Sequence, residues 1–112
     1  MAIAALMVVP STPQEWALWS FAHMAHHRDV NAAIYRLTGK NFELLNIDPI
    51  PLDAPGAWIE LHQEQHDAQD RLLNIEQFNL NGFDPKDRAG LESFILQNYA
   101  LHYAEGLKTN AW

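Results

Sequence analysis

Apolar and polar positions along this chain alternate with the spacing of helices. Trp16, Trp19, His23, His26, Val30, Ala33 and Leu37 recur three or four residues apart, which places them on one stripe of an amphipathic helix. The run Thr12-Pro13-Gln14-Glu15 provides a cap, a first-turn proline and a capping-box glutamate, and Gly39 offers a stop. A first helix is predicted over 13–38. The same spacing returns at Trp58, Leu61, Gln65, Ala68, Leu72 and Ile75, with Asp53 as cap and Pro55 in the first turn, giving a second helix that ends at 74 or 75. Asp84-Pro85-Lys86-Asp87 opens a third, expected over 85–105 with Gly106 as its stop.

Asp48-Pro49 and Ile50-Pro51 push residues 40–52 out of helical geometry, so an extended, ordered loop is expected there. The fold class is therefore all-α: a three-helix domain over 13–107, an extended apolar arm over 1–12 and a short tail over 108–112. Aligning the helices on their first large aromatic gives Trp19-His23-His27, Trp58-His62-His66 and Phe94-Asn98-His102, each with members four residues apart. The three rings are expected to meet in one core, with Trp16, Trp19, Trp58 and Phe94 dominating stability.

Composition narrows the function classes. The chain has 112 residues, enough for one domain. Its net charge of −7, with no basic cluster, argues against direct binding of nucleic acid. The apolar run 2–9 is too short to cross a bilayer and lacks a basic n-region, so a cytosolic-type N-terminus is expected. There is no cysteine, which removes disulfides and thiolate metal sites.

Histidines are the main candidate chemistry. His62 and His66 stand one helical turn apart, the spacing at which two imidazoles of one helix reach a common ion, and His102, His23 or His27 would add ligands if the helices pack as aligned. Against this, His62-Gln63-Glu64-Gln65-His66 lacks the zinc-protease glutamate, and the Glu-x-x-His pairs of di-iron bundles do not occur. The histidines are accordingly read as a polar, partly buried seam without a metal, unstable below about pH 6; ligation by His62, His66 and His102 is the alternative. Ser20, near His23 and His27, has no orienting acid, and no glycine-rich phosphate loop exists, so neither an enzyme nor a cofactor is expected. Glu60, Glu64, Asp67 and Asp70 read as a solvated helix face.

Ile3, Leu6, Met7, Val8 and Val9, with Trp112 at the other end, are costly to expose and read as partner-binding residues, either folding back on the domain or filling a groove of another subunit. The set Trp19-Ser20-Phe21-Ala22-His23, His27, Leu45, Ile47-Asp48-Pro49-Ile50, Trp58, His62-Gln63, His66, Leu73, Asn98 and His102 resembles small proteins encoded by tailed bacteriophages. The resemblance spans most of 16–107 and implies synthesis in a host bacterial cytoplasm and a place in a virion. It brings no catalytic or ligand residues. The expectation that follows is a non-enzymatic structural or accessory virion protein, a homo-oligomer or a component of an assembly, acting through protein–protein contacts; the competing expectation is a His-rich metal-binding protein, possibly a hydrolase.

Overall fold

A computed structural model describes residues 3–41, 50, 51, 53–76, 80 and 82–110. It is all-α: a 3-10 helix Ile3–Met7, then α1 (Pro13–Thr38), α2 (Gly56–Leu73) and α3 (Arg88–Thr109), with no strand among the described residues. The loop expected over 40–52 and the terminal Trp112 lie largely or wholly outside the described residues.

Helix α1 has the predicted bounds because its end signals are strong. Thr12 Oγ1 accepts from the Glu15 backbone N–H at 3.1 Å, and the Glu15 carboxylate accepts from Ser11 N at 3.3 Å. Gly39 takes the left-handed conformation (φ 73°) and donates to Tyr35 O at 2.8 Å. The other two helices start two and three residues later than expected. Asp53 does not cap α2, which begins at Gly56 behind Pro55. Asp84 closes a turn instead of a helix, accepting from Lys86 N through Oδ1 and from Asp87 N through its carbonyl, both at 2.9 Å. Gly106 is buried inside α3, and the helix ends where Asn110 turns left-handed (φ 57°).

Trp19, Trp58 and Phe94 meet with Leu6, Ile50, Phe83, Leu91 and Ile95 in one apolar cluster. Trp16 is half-buried beside them, stacked on Phe83 at 6.0 Å. A second, smaller cluster joins Val30, Ile34 and Leu73. Each aromatic sits in the N-terminal half of its helix, so all three helices point away from the shared aromatic cluster in the same sense. Their next turns therefore fall side by side, between the two apolar clusters, and these turns carry the histidines.

The N-terminal segment is helical rather than extended, and it folds onto its own domain. Leu6 is buried in the main cluster, and its carbonyl accepts from Trp19 Nε1 at 3.3 Å. The Arg88 guanidinium donates to Pro10 O and Ser11 Oγ at 3.0 Å and to Val9 O at 3.3 Å. Of the residues read as partner-binding, Leu6 is thus committed to this core and Val9 packs against it, whereas Met7 and Val8 stay about half exposed.

Candidate metal centre

The layer between the two apolar clusters is built from six histidines, all at 2% exposure or less. Five of them converge. His23 and His27 come from adjacent turns of α1, His62 and His66 from adjacent turns of α2, and His102 from α3. Their Nε2 atoms are separated by 2.9 Å (His23–His27), 3.0 Å (His23–His62 and His62–His66) and 3.1 Å (His66–His102). One ligand nitrogen from each of the five lies within 4.8 Å of all the others. The alternative set His62, His66 and His102 is therefore brought together, with His23 and His27 added.

The rings are held from outside the cluster. Trp19 stacks on His23 at 4.8 Å with planes 13° apart, and Trp58 stacks on His62 at 4.6 Å and 18°. His27 Nδ1 lies 3.0 Å from Gln69 Oε1, whose amide nitrogen in turn donates to Asn31 Oδ1 at 2.8 Å. His66 Nδ1 lies 3.0 Å from one oxygen of Glu105, and His26 Nε2 lies 3.1 Å from the other. An amide oxygen and a carboxylate only accept, so His27 and His66 carry their protons on Nδ1 and turn Nε2 lone pairs inward. His62 and His102 have no hydrogen-bond partner for Nδ1 among the described residues.

Two buried carboxyls flank the imidazoles. Burial alone would raise Glu105, but the field of His66 and hydrogen bonds from His26 and His66 outweigh it and hold the group below the usual carboxylate range. Asp70 goes the other way. Burial first, then its contact with Glu105, raise it to about 9, so it is protonated at neutral pH beside an ionised neighbour.

Asp70 departs from the solvated face that the sequence predicts for Glu60, Glu64, Asp67 and Asp70. Glu60 and Glu64 are exposed, whereas Asp70 is sealed because it lies one turn beyond His66 on the same side of α2. Glu105, Gln69 and the role of His26 were not anticipated. The usable signal is the spacing His66 to Asp70 and His102 to Glu105, which keeps each carboxyl on its histidine's face.

Protonation to imidazolium would work against this cluster. Burial first, then neighbouring imidazoles, push His23, His27, His62 and His102 well below the ordinary imidazole range. Burial also lowers His26, against the opposing pull of Glu105. When a folded-state pKa lies below the unfolded value near 6.5, the unfolded chain takes up more protons in acid; stability is then full above about pH 6.5 and lost as pH falls below it. Asp70 acts oppositely, since its folded form keeps a proton that the unfolded chain releases, but it is one group against five. Metal-free protein is expected to melt at a lower temperature at pH 5 than at pH 7. Equal melting temperatures would contradict histidines buried in the neutral form.

A metal ion meets the same geometry favourably. With bonds of about 2.1 Å, two nitrogens at right angles around an ion stand about 3.0 Å apart and two tetrahedral ones about 3.4 Å. The four shortest separations, 2.9–3.1 Å, match the right-angled case, and the remaining pairs lie within 4.8 Å. Five neutral donors would leave the ion's charge uncompensated, and the ionised Glu105 one shell out offsets it. No helix is long and apolar enough to cross a membrane among the described residues. No protein family, curated protein or solved structure matches this chain.

Proposed function

We propose that this protein binds one divalent first-row transition-metal ion through the imidazoles of His23, His27, His62, His66 and His102. The observation that carries the reading is the convergence of five Nε2 atoms from three helices inside a sealed core. Two of those imidazoles are oriented by outer acceptors, as metal-ligating histidines are. Right-angled nitrogen spacing favours ions of five- or six-coordinate habit, such as Fe, Co or Ni in the divalent state, over a tetrahedral Zn site. A hydrolase is not supported, because the ligands are buried and no described pocket is lined by them.

The deciding experiment is metal analysis of untagged protein prepared without chelator. About one ion per chain is expected, and His62→Ala should abolish it. Absence of stoichiometric metal, together with no rise in melting temperature when Fe, Co, Ni or Zn is added to the stripped protein, would overturn the proposal.

Service as an accessory component of a phage particle is compatible with a metal-stabilised core. Its support is the resemblance across residues 16–107 and the exposed apolar side chains Met7, Val8, Leu18 and Phe21. Copy number and partners are matters for light scattering of the full chain beside a variant lacking residues 1–10.

A further inference from the structure

The internal repeat defines six positions around the cluster, and the imidazoles fill five. His23, His62 and Asn98 form one tier, each following its helix's large aromatic by four residues; His27, His66 and His102 form the next, one turn further on. Within the tiers His23 meets His62 and His66 meets His102, while His23–His27 and His62–His66 link one tier to the other. Six side chains set in two tiers of three can surround one ion, each supplying one vertex of its coordination shell. The vertex without an imidazole belongs to the first tier of α3, where Asn98 stands.

Asn98 is fully buried. Its Nδ2 donates to the Phe94 carbonyl at 2.8 Å, a partner that can only accept, so the amide cannot be turned the other way without losing that bond. Oδ1 is thereby turned away from the Phe94 carbonyl, and it is sealed from solvent with no hydrogen-bond partner among the described residues. Buried amide oxygens are ordinarily satisfied, and an unsatisfied one calls for a missing donor or ion. A neutral amide carbonyl is a competent ligand for divalent ions.

From this placement we infer that Asn98 is the sixth ligand, through Oδ1, of the ion assigned above to the five histidines, and the inference rests on that assignment. The site is then closed: every coordination position is filled by protein, as in structural centres, and none is left for water or substrate. The ion's work is to hold three helices at one point, not to activate a bound molecule.

The test uses the full-length protein reconstituted with Co(II), read by metal content, visible absorption and response to azide. Wild type is expected to bind one Co(II), to show the weak bands of a six-coordinate ion and to be unchanged by azide. Asn98→Ala opens one vertex, so its spectrum should intensify and shift with azide, and its affinity should fall about tenfold or more. Asn98→His replaces an oxygen donor by a stronger-field nitrogen; its bands should move to higher energy while remaining silent to azide, and this variant carries the test if the alanine variant does not fold. A wild-type spectrum that responds to azide would mean an exchangeable water in front of a shorter side chain, and the assignment of Asn98 fails while the five-histidine site stands. Spectra of both variants identical to wild type would overturn it equally. Failure of wild type to bind Co(II), Ni(II) or Fe(II) at all would instead bring down the metal site itself.

Discussion

His66→Ala is expected to remove the metal and to weaken the metal-free fold as well, which separates it from His62→Ala. His66 Nε2 lies against both His62 and His102, so its loss breaks two of the four close nitrogen pairs. A ligand present at about 1,000 times its dissociation constant stabilises by about 4 kcal/mol, which for a domain of this size raises the melting temperature by roughly 15 °C. That increment should vanish in both His66→Ala and His62→Ala. The two should differ once chelator has stripped them. His66 Nδ1 also donates to Glu105, and removing it leaves an ionised carboxylate without one of its donors in a site closed to water. Losing a hydrogen bond to a buried charged group costs about 1.5–3 kcal/mol. Stripped His66→Ala should therefore unfold at clearly lower urea than stripped His62→Ala, whose Nδ1 has no partner to abandon among the described residues. Equal urea midpoints would show that Glu105 is not ionised in the fold.

Trp58→Ala is the second substitution of large effect, at about 3–5 kcal/mol from lost burial and the cavity left behind. Trp58 is 4% exposed and contacts Trp19 at 6.3 Å and Phe94 at 6.2 Å between ring centroids. It also stacks on His62, so the damage extends beyond stability: a ring free to rotate presents its nitrogen less often, and metal affinity should fall with it. Urea unfolding measures the first effect and metal titration the second. A loss below about 1 kcal/mol would show that the three aromatics do not form a common core.

The architecture was legible where local chemistry and periodicity agree. The capping box at Thr12–Glu15 and the glycine at 39 bound α1 correctly because each satisfies backbone groups without help from tertiary structure. Asp53 and Asp84 misled because an acid followed closely by proline serves a turn as readily as a helix start. Gly106 misled because a glycine buried within a helix has the same letter as one that ends a helix; Asn110 holds the left-handed position instead.

For the site, the repeat gave the faces but not the distances. Three helices can align their histidines and still leave them at the rim, and only the co-directional packing around Trp19, Trp58 and Phe94 turns a seam into a point. Asp70 and Glu105 were hidden by a sound rule, that charges belong in water, which fails where buried imidazoles supply the partners.

Ligands drawn from three separate helices, all enclosed, have a kinetic corollary. An ion cannot be shed by swapping ligands one at a time with solvent, since no solvent reaches them. Escape would require the bundle to part, so the residence time of the proposed metal would be tied to the rate at which the chain opens, and chelators should act no faster than unfolding permits. Loading would be subject to the same gate: the proposed ion would be most readily captured while the helices are still assembling, as a component of folding instead of a late addition to a finished fold.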